Sequence, residues 1–242
     1  MHPFWITAFL DSAPEHHQET VGFWQEATGY AVSPPRGAHD EFASLLPPDG
    51  GPYLKVQRRH AGADRIHLDL HVTDPLAAAD AARVAGATIV ADRGYVVMAS
   101  PAGFVFCLVD HAASRVPAAT VHAHGSASRV VQVAIDVPRA AYDRELAFWH
   151  AVTRWEQRPS SVTEDFTFLF PPAGQPLRLM LQRLGADDTG EVRAHLDWGT
   201  TDRAAETERH LELGSRVLAQ HQHWTVLADP NGRAYCLTDA AP

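Results

Sequence analysis

The sequence predicts an α+β protein of two tandem domains, each built from two β-α-β-β-β modules. The first observation behind this is an internal repeat, a signal that fixes architecture before any single element does. Phe23-Trp24 recurs as Phe148-Trp149, Pro47-Pro48 as Pro171-Pro172, and Gln57-Arg58 as Gln182-Arg183. His67-Leu68-Asp69 recurs as His195-Leu196-Asp197, Thr73-Asp74 as Thr201-Asp202, and Cys107-Leu108 as Cys236-Leu237. The offsets run only from 124 (Pro47 to Pro171) to 129 (Cys107 to Cys236), and the pairs keep their order. The second observation is that both copies show the same succession of strand and helix periods. Domain one is read as residues 1–110 and domain two as 129–242. The intervening 111–128, rich in Ala, Ser, His and Gly, is read as a linker.

The elements of the first copy follow in order. Trp5 to Leu10 is a strand. Pro14 to Thr28 is a helix with Pro14 in its first turn, Val21, Trp24 and Ala27 on one face, and Gly29 as its stop. Glu41 to Leu46 and Tyr53 to Arg58 are strands around a Pro-Pro-Asp-Gly-Gly turn. Arg65 to Val72 opens the second module as a strand. Asp74 caps an Ala-rich helix with Pro75 at its first position, and Gly86 ends it. Strands near Thr88 to Ala91, Tyr95 to Ala99 and Phe104 to Val109 complete the copy. The second copy repeats this order, with Asp202 as the helix cap and Asp229-Pro230-Asn231-Gly232 as the last turn.

Composition removes several function classes. The net charge of -9 comes without a basic patch, so nucleic acid is not an expected partner. Two cysteines in 242 residues do not make a disulfide framework. No signal peptide and no apolar stretch of roughly 20 residues, the length needed to span a bilayer, is recognised. The expectation is a cytoplasmic chain, with no membrane partner.

The Phe-Trp pair on the first helix, His-Leu-Asp on the fifth strand and the closing Asp229-Pro230-Asn231-Gly232-Arg233-Ala234-Tyr235-Cys236-Leu237 carry a family resemblance. Each copy resembles a glyoxalase-like, bleomycin-resistance-like domain of the vicinal oxygen chelate superfamily. The resemblance implies that each pair of modules forms a curved eight-stranded cup. It also implies a superfamily of lyases, dioxygenases, epimerases and drug binders, so it does not name a reaction. In metal-dependent members, His and Glu from the first, fourth, fifth and eighth strands hold a divalent ion. This sequence departs from that set. Its first strands offer no His or Glu, the fourth-strand region offers Lys55 and Gln57 or Met180 and Gln182, and the eighth-strand position holds Cys107 or Cys236. Only the fifth-strand imidazole, His67 or His195, remains.

Strand alternation identifies the residues that face each cup. Ile6, Ala8 and Leu10 form an aliphatic, helix-packed face, which leaves Trp5, Thr7 and Phe9 on the other. Tyr53, Lys55, Gln57, His67, Asp69, His71 and Cys107 are read into the first cup. Gln132, Arg178, Met180, Gln182, His195, Asp197 and Cys236 are read into the second, with Trp224 as an apolar wall. Trp24 and Trp149 are read as core, and His122 and His124 as flexible linker residues.

The expected function is binding of a small hydrophobic or aromatic metabolite without the customary metal. The alternative is an enzyme, either a metal-free isomerase or cyclase or a divalent-metal lyase or dioxygenase. In the metal-free case His67 or His195 would serve as acid-base, since imidazole, with an unperturbed pKa of about 6.5, exchanges protons near neutrality. Zinc at His67, Asp69 and His71 is the alternative cofactor reading. The chain is expected to act as a monomer with an internal pseudo-dimer or as a homodimer.

Overall fold

A computed structural model describes residues 2–188 and 190–242. The first copy runs β1 (Trp5–Ser12), α1 (His17–Thr28), β2 (Ala31–Val32), β3 (Phe42–Leu46), β4 (Leu54–Arg58), β5 (Arg65–His71), α2 (Pro75–Val84), β6 (Thr88–Asp92), β7 (Val96–Ala99) and β8 (Val105–Val109). A short β9 (Thr120–Val121) precedes the second copy. That copy runs β10 (Ala127–Val137), α3 (Tyr142–Thr153), β11 (Glu156–Pro159), β12 (Phe166–Phe170), β13 (Arg178–Arg183), β14 (Arg193–Thr200), α4 (Arg203–Glu212), β15 (Arg216–Gln220), β16 (Trp224–Ala228) and β17 (Ala234–Thr238).

The strand order is β2-β3-β4-β1-β5-β8-β7-β6 in one sheet and β11-β12-β13-β10-β14-β17-β16-β15 in the other, with β9 added beside β10. The two sheets therefore repeat one topology, the predicted pair of β-α-β-β-β modules per copy. The second strand of the first module in each copy, β2 and β11, was not anticipated. β2 has only two residues and β11 is polar and exposed, so neither carries a period.

Local chemistry explains the helix limits. Asp74 and Asp202 cap α2 and α4, accepting from the backbone of Leu76 and Ala77 and of Ala205. Gly29 ends α1 in the left-handed region, at φ 68°. α1 starts at His17 rather than Pro14, and it buries Thr20, Phe23, Trp24, Ala27 and Thr28. Val21 lies at the margin of that face, so the helix is rotated toward Phe23 relative to the sequence reading.

The backbone gathers into two compact units that cut across the copies. Unit one is 1–8, 67–114 and 133–194; unit two is 9–66, 115–132 and 195–242. In unit one, Trp149 of α3 is fully buried and meets Phe104 and Phe106 edge-on, with ring centroids at 5.8 and 5.5 Å. Glu145 sits beneath this layer, accepting from Trp149 Nε1 at 2.8 Å and from the Ala102 amide at 2.8 Å. Burial raises its pKa above the ordinary range. In unit two, Trp24 of α1 is fully buried and stacks on Trp198 at 6.1 Å. Its Nε1 donates to Asp229 Oδ2 at 3.1 Å, which satisfies the one polar atom of the ring. Both tryptophans are core, as the helical spacing predicts. Among the described residues, no helix is long and apolar enough to cross a membrane.

His122 and His124 are not loose. In unit two their rings stack at 6.0 Å beside Glu206 of α4, with His124 Nε2 3.2 Å and His122 Nε2 3.8 Å from its carboxylate. Burial and the charge of Arg209 lower the pKa of His122 to about 4. Burial also lowers that of His210. An imidazole whose pKa is depressed in the fold stabilises it above about pH 6.5, and that contribution is lost as pH falls toward the folded value. The urea midpoint is therefore expected to fall between pH 7 and pH 4, and to fall less in His122→Asn. A midpoint that rises over this range would contradict the assignment.

Candidate functional site: two His, Asp and Cys trios

β5 and β8 run parallel, and their register sets Asp69 directly opposite Cys107. Residues opposed across a ladder point to the same face, and His67, two residues before Asp69, points there too. The alternate residues Leu68, Leu70, Phe106 and Leu108 are fully buried on the other face. In unit one, His67, Asp69 and Cys107 thus converge. One donor atom from each lies within 4.8 Å of the others, and His67 Nε2 is 3.8 Å from Asp69 Oδ1. All three are at least nine-tenths buried.

His71 lies next along the same face but is engaged elsewhere in unit one. Its Nδ1 is 2.9 Å from the His111 carbonyl and its Nε2 3.0 Å from Thr7 Oγ1. A carbonyl can only accept, so in the neutral ring Nδ1 carries the proton and Nε2 accepts from the threonine. The structure therefore groups Cys107, not His71, with His67 and Asp69.

Unit two repeats the arrangement on β14 and β17, where Asp197 faces Cys236 in parallel register. His195, Asp197 and Cys236 again place donor atoms within 4.8 Å of one another, with His195 Nε2 3.3 Å from Asp197 Oδ1. Gln132 of β10 shares this face and donates through Nε2 to Asp197 Oδ2. Among the described residues, Asp197 Oδ1 makes no hydrogen bond beyond the ion-pair contact with His195, although Asp197 is only 3% exposed. Gly199 stands where the first copy has His71. A Cβ there would come within 2.5 Å of the Ala241 carbonyl, so the last residues of the chain occupy that space.

The remaining sequence-predicted residues fall in different settings. In unit one, Trp5 is fully buried and Met180 nearly so. Gln182 is half-buried opposite Phe166, and the Arg178 guanidinium lies 5.1 Å from the centroid of Phe168. In unit two, Tyr53 is fully buried and donates to the Val130 carbonyl at 3.0 Å. Burial pushes its hydroxyl well above the ordinary tyrosine range. Lys55 holds its ammonium 5.0 Å over the Phe9 ring. Gln57 is half-buried opposite Phe42. Trp224 carries His221 stacked on its ring at 4.4 Å.

Each trio offers an imidazole, a carboxylate and a thiol, a donor set suited to zinc. Tetrahedral zinc, with bonds of about 2.0–2.3 Å, sets its donors roughly 3.3–3.8 Å apart. For an imidazole nitrogen and a carboxylate oxygen the spacing is roughly 3.3–3.5 Å; the 3.3 Å of the second trio matches it, and the 3.8 Å of the first is longer. The residues fit a divalent ion, which would supply Lewis acidity to an oxygen ligand. His67 and His195 can equally hold or move a proton at Nε2.

A family model described as "Glyoxalase-like domain" matches residues 7–109 and 132–238. No curated protein matches the chain. Similar solved structures include a Mn(II)-bound glyoxalase from Novosphingobium aromaticivorans, with a TM-score of 0.67 at 12% identity over 95% of this chain and 80% of that one. A mutant 4-hydroxymandelate synthase from Streptomyces coelicolor gives 0.64 at 15% identity, covering 98% and 92%. The 2,2',3-trihydroxybiphenyl 1,2-dioxygenase from Sphingomonas wittichii gives 0.62 at 18% identity, covering 96% and 88%. At these identities the likeness is one of fold. With both copies matched by the family model and the fold shared across these structures, the chain belongs to the glyoxalase-like domain family, as a tandem member of the vicinal oxygen chelate superfamily.

Proposed function

We propose that each domain, 1–110 and 129–242, binds a small organic molecule, with the His, Asp and Cys trio as the polar centre of its site. The observation that carries this reading is the duplicated trio itself. A carboxylate and thiol buried beside an imidazole, itself buried in the first trio and partly so in the second, is a costly arrangement for a core, and ligand sites are where such groups recur. His67 and His195 are the groups we assign to proton transfer if the ligand is turned over. We place the protein in the cytoplasm, as a monomer with an internal pseudo-dimer or as a homodimer.

A second reading is divalent-metal chemistry, with zinc held by each trio. It is favoured by the donor spacing and by the buried Asp197 Oδ1. The related structures include a Mn(II)-bound glyoxalase and a dioxygenase, which supports metal chemistry as a class for this fold.

The test is retention of ligand. The protein is incubated with a small-molecule extract and washed by ultrafiltration, and the released compounds are identified by mass spectrometry. A compound retained by wild type and lost by the His67→Ala/His195→Ala double variant, with the fold intact by circular dichroism, is the expected result. Recovery of that compound unaltered supports a binder, and recovery of a product supports the enzyme. Equal retention by the double variant would remove the trios from the site.

A further inference from the structure

We infer that the second trio receives a primary ammonium group borne on a flat apolar ligand. Asp197 Oδ1 would accept from the ammonium, and Trp224 and Val226 would hold the apolar part. This rests on the small-molecule reading of domain two and names its ligand class.

All of these residues belong to unit two. Asp197 is only 3% exposed, and its two oxygens have different settings. Gln132 Nε2 donates to Oδ2. Oδ1 is buried and, among the described residues, makes no hydrogen bond. His195 Nε2 lies 3.3 Å from it, close but out of hydrogen-bonding alignment. Among the described residues, no lysine or arginine forms an ion pair with this carboxylate. A buried carboxylate oxygen without a hydrogen bond is costly, and the cost is relieved by opposite charge and by a donor. A hydroxyl supplies the donor alone. A primary ammonium supplies both, through N–H groups that can turn to meet the oxygen.

The same face offers a surface for the apolar part. β14, β17 and β16 run side by side, with Asp197 opposite Cys236 and Cys236 opposite Val226. Trp224 stands two residues before Val226, opposite Thr238. Opposed residues share a face, so Asp197, Val226 and Trp224 point the same way. The alternate residues Leu196, Leu227, Tyr235 and Leu237 are fully buried on the other face. Val226 and Trp224 are only half-buried. Two strand spacings, about 10 Å, separate Asp197 from Val226, a gap that an aryl ring on a short alkyl arm spans. The Trp224 ring is held by His221, stacked at 4.4 Å, so little freedom is lost when a ligand packs beside it.

The first copy differs at the acceptor. The family match begins at Thr7 in one copy and at Gln132 in the other, so Thr7 stands where the second copy has its amide. In unit one, Thr7 engages His71 Nε2 at 3.0 Å. Among the described residues, the buried side-chain atoms without a hydrogen bond include Asp197 Oδ1 and neither oxygen of Asp69. The ammonium subsite is therefore assigned to domain two alone.

Isothermal titration at pH 7 with three probes tests this, in EDTA so that no divalent ion competes for the same oxygen. 2-Phenylethylamine carries charge and N–H donors, 2-phenylethanol a donor without charge, and its trimethylammonium analogue charge without a donor. Wild type is expected to bind one amine per chain, about ten-fold tighter than either of the others. Asp197→Asn should abolish that preference, and Trp224→Ala should weaken all three probes by a similar factor. Melting curves confirm that each variant is folded, and the comparison of probes on wild type decides the matter even where a variant is not. Equal affinity for the amine and the alcohol, or for the amine and its trimethyl analogue, would overturn the ammonium assignment. So would a preference that survives Asp197→Asn, or binding of none of the probes. The broader reading is judged separately by the metabolite-retention experiment, where a retained compound without a basic nitrogen would sustain it and overturn this inference.

Discussion

Replacing Glu206 by Ala is expected to cost about 3–5 kcal/mol, the range seen when one partner of a buried ion pair is removed. Glu206 is fully buried on α4. Arg209 donates to its Oε2 at 2.7 Å, Ser128 donates at 2.9 Å, and Ser126 donates to Oε1. His122, His124 and His210 surround it within 3.8 Å. Burial pushes the carboxyl up, yet the bonds from His210, Arg209 and Ser126 outweigh it and hold its pKa far below the carboxylate range. Ala would leave the buried Arg209 charge without its carboxylate and take the Glu206 acceptor from Ser126 and Ser128, which then face His124 and His122. Glu206→Gln keeps the shape and should lose less. Denaturant midpoints of the two variants check this, and a loss under about 1 kcal/mol for Ala would contradict the network, since that is the worth of a surface pair.

This network illustrates what the sequence conceals. Glu206 lies 80 positions from Ser126, and nothing local to either residue announces the bond. His122 and His124 look like linker residues because their partner is supplied by a helix of the second copy. The same physics limited the site. His67 and Asp69 share a strand face by alternation alone, which the sequence states directly. That Cys107 completes the trio depends on the register of two parallel strands joined by a helix and two further strands. His71 follows the same alternation, and Thr7 and the His111 carbonyl, brought in by folding, engage both of its ring nitrogens. The tandem architecture was fully legible, because paired motifs at nearly constant offset report a duplication whatever each motif does. The strands β2 and β11 were not, being too short or too polar to show a period.

The convergence of the trios is the claim on which the functional reading stands, and cobalt is its most direct probe. Co(II) takes tetrahedral zinc-type positions, and a bound thiolate gives it a strong near-ultraviolet charge-transfer band that oxygen and nitrogen donors do not. Cys107 and Cys236 are each buried beside one imidazole and one carboxylate. Removal of one of three donors is expected to weaken the ion at least as much as removal of an outer-shell partner, which costs 10–100-fold. Wild type should therefore develop the band with two equivalents of cobalt per chain, one for each trio. Cys107→Ser and Cys236→Ser should each halve it, and the double variant should abolish it. A band absent from folded wild type would contradict the divalent-metal reading of the trios, and a band unchanged by both substitutions would mean that Cys107 and Cys236 do not reach the ion.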